Sequence, residues 1–436
     1  MPAPDESELV VAGRPLRLQR YPHEPRELLR AFDAADEYLL DHVLSSGEPA
    51  RELAELSGLP AGVDLAEAAR AGSLVLLDDR WGALATALAE HSPVSVTDSA
   101  VARAAARANL ARHAPEAVVP LLGAGERWPG RVDVLLVRLP KTLSLLEEQL
   151  HRLRPALHPG SVVVAAGMVK EVHTSTLMLF EELLGPVRTS RARRKARLLV
   201  CAPSAEVLGA PRPCPWPRSL LLDDAPEPLA GVRVVQHGGV FSAGGLDVGT
   251  RLLLEVLGAR RRFRAGEHVL DLGCGNGVLG LAAARAQPGV EVTFVDDSDL
   301  AVASAAATWR DNAPAGARAR FLVGDSATAS TGAETGAGTG AGAGRDAGEQ
   351  GTGEQVPAGS VDVVLNNPPF HVHGSVTAST AHRMFRDARR VLRPGGELWV
   401  VGNRHLGHHV SLRRLFGAVD VVAGHPKFVV LRAVRR

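Results

Sequence analysis

The chain is 436 residues long and has only three cysteines, Cys201, Cys214 and Cys274. None stands at paired or metal-ligand spacing, which argues against a disulfide scaffold and a structural zinc site and fits a reducing cytoplasm. The formal net charge is +1, so there is no global basic field. Any nucleic-acid surface has to come from local clusters. No apolar run is long enough to span a bilayer. The acidic, proline-bearing N-terminus is not a signal peptide. The expectation is therefore a cytoplasmic protein away from membranes, acting without a metal and as a monomer.

Apolar residues make up 45% of the sequence, enough for packed cores, and the length exceeds what one core usually serves. Strand and helix patterns alternate through most of the chain. In the first half they are a helix over 28–44, the strand Leu74–Asp79, a helix through Ala89, the strand Val94–Asp98 and a helix over Ser99–Arg112. A strand over Val132–Leu139, a helix over Leu143–Leu157 and a strand over Ser161–Ala166 follow. This alternation predicts a parallel sheet with helices on both faces. The second half repeats the plan: Leu392-Arg393-Pro394-Gly395-Gly396 and its valine-rich strand echo Leu153-Arg154-Pro155 and its strand. The fold class expected is α/β, two tandem doubly wound Rossmann-like domains, the first degenerate. Residues 1–203 form the degenerate domain, 204–228 a proline-rich linker, and 229–436 the domain with the chemistry. A Gly/Ala/Thr/Glu-rich stretch at 328–359 reads as a disordered insertion.

Two motifs carry the chemistry. The first is a strand, His268 to Leu272, turning through Gly273-Cys274-Gly275-Asn276-Gly277 into a helix from Val278. Glycines at 273, 275 and 277 let the backbone turn tightly and approach a ligand. The loop lacks the terminal Lys-Ser/Thr of a P-loop, and a dinucleotide redox cofactor is one reading. Asp271 before the loop, together with the second motif, favours S-adenosylmethionine. Asp296, ending the strand Glu291–Asp296, has two acceptor oxygens for a ribose diol. Asp325, ending the next strand, is positioned to accept an adenine amino group. Each aspartate reads alternatively as a helix cap or a solvated loop residue.

The second motif is Asn367-Pro368-Pro369-Phe370, at the end of the apolar strand Val361–Leu365. The prolines stop the strand and stiffen the backbone where open α/β sheets bind ligands. An exocyclic amine is a poor nucleophile because its lone pair is conjugated. The Asn367 side-chain oxygen and the Pro368 carbonyl would each accept one of its N–H groups, and Phe370 would stack on the ring that carries it. Alternatively the motif is only a rigid strand end. Two basic clusters, Arg191, Arg193, Arg194 and Lys195, and Arg260, Arg261 and Arg262, are candidate phosphate contacts or plain solvated surface.

These motifs, with Val240-Phe241-Ser242, Gly245 to Gly249, Gly402 to Leu406 and Lys427 to Leu431, resemble the ribosomal RNA guanine-N2 methyltransferases built from two tandem methyltransferase-like domains. Asp78 to Leu84, Leu139-Pro140-Lys141-Thr142 and His173-Thr174-Ser175-Thr176 are most similar to the member acting on large-subunit (23S) RNA, with 16S RNA the other choice. The resemblance covers nearly the whole chain apart from the termini and 328–359. It implies S-adenosylmethionine in the second half only, N2-methylguanosine as product, ribosomal RNA as partner and His371 beside the substrate. The competing readings are a methylase of DNA adenine or protein glutamine, and a non-catalytic RNA-binding assembly factor.

Overall fold

The computed structural model describes residues 8–11, 13–23, 29–44, 73–242, 244–324, 330–331, 356–369 and 375–436, with backbone only at 330–331 and 375–379. The chain divides into two compact units, Met1–Pro215 and Trp216–Arg436. Among the described residues no helix is long and apolar enough to cross a membrane.

In the first unit, β1 (Leu9–Val11) and β2 (Arg14–Leu16) form a hairpin. The main strands are β3 (Leu74–Leu77), β4 (Val94–Val96), β5 (Leu121–Leu122), β6 (Val132–Arg138), β7 (Leu157–Met168), β8 (Val187–Thr189) and β9 (Ala196–Cys201). They lie in the order β5-β4-β3-β6-β7-β9-β8, parallel except for the last two. Every residue of β3 is buried, because helices cover both faces. Side chains alternate between the faces. Leu74 and Leu76 meet Leu39 and Leu40 of the helix Ala34–Leu44, while Val75 and Leu77 join the core of Leu146, Leu150 and Phe180. Truncating one such leucine to alanine costs about 2–5 kcal/mol.

The second unit begins with an antiparallel pair, β10 (Arg218–Leu222) and β11 (Val232–Gln236). Its sheet holds β12 (His268–Leu272), β13 (Glu291–Asp296), β14 (Arg318–Val323), β15 (Ser330–Thr331), β16 (Val361–Asn366), β17 (Leu392–Asn403), β18 (Val419–Gly424) and β19 (Phe428–Val434). The order is β15-β14-β13-β12-β16-β17-β19-β18. β18 and β19 close the edge antiparallel. In both units strand order reverses beside the first central strand, between β3 and β6 and between β12 and β16. That reversal opens a crevice at the carboxyl ends of the strands.

Two expectations change. Residues 204–228, expected as a proline-rich linker, also hold the helix Ala205–Gly209 and β10, and Trp216, Leu222 and Ala225 are buried. Most of the insertion at 328–359 lies outside the described residues, but its end does not belong to it. Val356 is buried with Leu270, Val364 and Phe385.

Candidate active site

The crevice between β12 and β16 gathers most of the described motif residues. β12 runs into a turn in which Gly273, Gly275 and Gly277 have φ of 72°, 53° and 81°. The turn is held by Gly273 N and Cys274 N, which both donate to Val295 O at 2.8 and 3.0 Å. The glycines serve different needs. A Cβ on Gly277 would stand 2.9 Å from Ala305 Cβ, so this position is closed by packing. A Cβ on Gly275 would meet nothing within 4 Å. That open space, with a backbone free of side chain, is a cradle a ligand can approach. Burial pushes the Cys274 thiol well above its ordinary value, and Asp296 and Asp271 add to this.

Asp271 is buried on the β12 face beneath the helix Val278–Ala286, and its Oδ2 accepts the Gly280 N–H at 2.8 Å. Its Oδ1 has no partner among the described residues. Burial raises its carboxyl to about 8, with the nearby Asp296 adding to the rise. Asp296 ends β13 and accepts from Gly275 N at 2.9 Å and Ser298 N at 3.0 Å. Burial raises it to about 6 against the lowering effect of those two bonds. It therefore bridges the glycine turn to the start of the helix Asp299–Asn312. Asp325 lies outside the described residues.

At the end of β16, Asn366 is fully buried and donates through Nδ2 to Leu272 O at 2.7 Å, lacing the two strand ends together. Asn367 is half-buried. Its Nδ2 donates to Thr250 Oγ1 at 2.9 Å and lies 3.4 Å from Asp247 Oδ2. Asp247 caps the helix Val248–Arg260 by accepting the Thr250 N–H at 3.0 Å. With Nδ2 turned to these groups, Asn367 Oδ1 is left buried and without a partner among the described residues, as is Asn366 Oδ1. Among the described residues, one buried side-chain oxygen on each of Asp271, Asn366 and Asn367 has no hydrogen-bond partner. Each costs roughly 1–3 kcal/mol until a donor arrives, and that of Asn367, at the strand end, suits a ligand carrying N–H groups. Pro368 is buried and Pro369 exposed, while Phe370 and His371 lie outside the described residues.

Sequence reasoning did not single out Thr250 or Asn366. The signal for Thr250 was an aspartate three residues before it, directly ahead of the apolar run Leu252-Leu253-Leu254, which is a helix start.

The basic clusters separate. Arg191, Arg193, Arg194 and Lys195 are exposed, but Arg193 pairs with Asp41 at 2.7 Å and Arg194 with Glu37 at 2.8 Å. Arg260 and Arg262 are exposed. Arg261 turns inward to Glu267 and Glu397, both at 2.9 Å, and serves the fold rather than a phosphate surface.

Residues 6–205 match the RLMG N-terminal domain family, and residues 231–335 and 345–432 match the methyltransferase small domain family. The ribosomal RNA large subunit methyltransferase G of Streptomyces coelicolor is 52% identical over 420 residues, covering 96% of this chain and 97% of the relative. That of Aeromonas salmonicida is 40% identical over 426 residues, with 97% of each chain covered. A solved structure of a T. thermophilus 16S rRNA N2 methyltransferase, in complex with AdoMet and guanosine, has a similar fold. Its TM-score is 0.67 at 23% identity, over 98% of this chain and 97% of that one.

Proposed function

The chain belongs to the ribosomal RNA large subunit methyltransferase G family, and on that premise we propose that its second unit methylates the exocyclic N2 amine of a guanine in large-subunit ribosomal RNA. The observation that carries this reading is the Asn367 amide, whose oxygen is unpartnered at the strand end beside the glycine turn. S-adenosylmethionine, when bound, supplies an electrophilic methyl group. The open cradle at Gly275, with the carboxyl groups of Asp271 and Asp296 near it, would hold it: backbone for close approach, oxygens for hydroxyl and amino groups.

The protein's own groups then have defined tasks. The flipped guanine presents two amine N–H groups. Asn367 Oδ1 accepts one and the Pro368 carbonyl the other, which pulls the nitrogen lone pair out of conjugation. As that nitrogen gains positive charge, both acceptors bind it more strongly, so they act chiefly in the transition state. The surplus proton leaves the nitrogen for solvent after transfer. Phe370, His371 and Asp325 lie outside the described residues; in this reading Phe370 and His371 would serve the substrate base and Asp325 the cofactor. The first unit positions the RNA with Arg191 and Lys195 as phosphate contacts, and Arg260 and Arg262 of the second unit are further ones.

The test is to map methyl groups in a strain lacking this gene. Loss of one N2-methylguanosine from large-subunit RNA, restored by the wild-type chain, is the expected result. Loss from DNA adenine or from a protein glutamine would overturn it. An unmodified product spectrum with impaired ribosome assembly would leave a non-catalytic factor.

A further inference from the structure

We propose that Asp247 and Thr250 are positioning residues that fix the Asn367 amide with its oxygen toward the substrate amine. The inference rests on the function proposed above and adds the device that orients its central group. An asparagine amide can turn over, exchanging Oδ1 and Nδ2. In the flipped state Asn367 would present N–H donors to an amine that is itself a donor, and the site would not work. Asp247 selects against the flip. A carboxylate offers only lone pairs, so an amide oxygen set 3.4 Å from Asp247 Oδ2 would face it with no proton between them. Thr250 takes the shorter contact, 2.9 Å, and its hydroxyl is held in place because its own N–H is tied to Asp247 Oδ2. One carboxylate therefore caps the helix, seats the threonine and biases the amide.

The first unit supplies an independent argument. The register β12 Leu272 to β16 Asn366 corresponds to β3 Leu77 to β6 Val137, so Arg138 stands where Asn367 stands. The helix facing it starts at Ala34, with Asp33 accepting the Ala35 N–H and Asp36 three residues on. Those are the places of Asp247 and Thr250. There the contact is an ion pair: Arg138 reaches Asp33 at 2.9 Å and Asp36 at 2.6 Å and is fully buried. The strand-end to helix-start contact exists in both units. Where the strand residue is a guanidinium, the helix start offers two carboxylates. Where it is an amide, one of them is a threonine, which takes up the amide N–H and leaves the amide oxygen for a ligand.

The test uses the full chain with S-adenosylmethionine and large-subunit RNA from a strain lacking the gene, presented both protein-free and as assembled subunits. Thr250→Val, nearly the same shape, should lower the single-turnover rate by roughly tenfold, the worth of one lost hydrogen bond. Cofactor Kd, RNA Kd and melting temperature should hold, and Thr250→Ser should recover most of the rate. The decisive arm is the same change on an Asn367→Ala background, where it should cost almost nothing, since its effect runs through the amide. An equal loss on both backgrounds, no loss on the native one, or no recovery by serine would overturn the proposal. If Thr250→Val does not fold, Asp247→Asn carries the same cycle, because asparagine still caps the helix. A slower rate only when Asn367 is present supports the proposal, and an unchanged rate overturns it. If the unaltered chain transfers no methyl to either RNA form, the function reading itself has failed, which is a different result.

Discussion

The two units share a sheet plan and differ at its switch point, position by position. Asp78 N and Gly273 N both donate to the neighbouring strand, at Val96 O and Val295 O, each at 2.8 Å. Five residues, Asp78 to Gly82, then match the five from Gly273 to Gly277. The backbone requirements persist: Asp78 and Gly273 have φ of 59° and 72°, Gly82 and Gly277 of 79° and 81°. A Cβ at Gly82 would strike Ala106 Cα at 2.4 Å, as one at Gly277 would strike Ala305. What differs is everything a ligand would touch. Arg80 replaces the open Gly275, Thr97 replaces Asp296, and Arg138 replaces Asn367. Arg80 donates to Leu139 O at 3.0 Å, and Gln149 donates to Asp78 at 3.0 Å. The first crevice is filled by its own side chains. Comparing the units therefore separates what folding needs from what binding needs, without any second protein.

The largest effect should come from giving the second unit the first unit's residue. Gly275→Arg should weaken S-adenosylmethionine binding by at least about a hundredfold, roughly 3 kcal/mol, read by calorimetry. The positive φ costs only about 1–2 kcal/mol of stability, and the open space at that Cβ lets the chain fold. Retained binding would mean the cradle is elsewhere. Next, Gly82→Ala and Gly277→Ala should each destabilise by about 1–3 kcal/mol through overpacking, measured by denaturant unfolding. A cost confined to Gly277 would break the claim that this glycine is a packing requirement common to both units.

The pH dependence is smaller. Burial raises Asp78 and Asp79 to about 7, Asp271 to about 8 and Asp296 to about 6. The folded chain then holds protons that the unfolded chain gives up in the ordinary carboxylate range. Stability is therefore lost as pH climbs from that range through 6 to 8. The melting temperature should fall between pH 5 and 8. Added S-adenosylmethionine, whose positive charge favours ionised Asp271 and Asp296, should reduce that fall without abolishing it, because Asp78 and Asp79 are in the other unit. A flat profile would contradict the assignment. Smallest of all, replacing Arg193, Arg194 and Lys195 with alanine should flatten the salt dependence of RNA binding by at most about one unit of slope per lost contact. The pairs with Asp41 and Glu37 already cancel part of that charge. An unchanged slope would mark the cluster as solvated surface.

Much of this plan was legible in the sequence because parallel strands buried on both faces read as apolar runs, such as Leu74–Leu77 and Val363–Leu365. The Asp247–Thr250–Asn367 contact was not, since 117 positions separate Thr250 from Asn367 and no local pattern encodes such a meeting. The burial of Arg138 was not legible for the same reason: its partners are two aspartates at a distant helix start. The prolines of 204–228 hid Leu222 and Ala225, whose burial depends on pairing with a strand further on.

The account stands or falls on the amide of Asn367. The direct measurement is single-turnover methylation of large-subunit RNA by Asn367→Ala, with the cofactor Kd measured in parallel. The predicted result is a rate roughly 10²–10³-fold lower, the range for losing one oriented polar group in the transition state, at an unchanged cofactor Kd. A near-native rate would contradict the account and reduce the motif to a stiff end on β16.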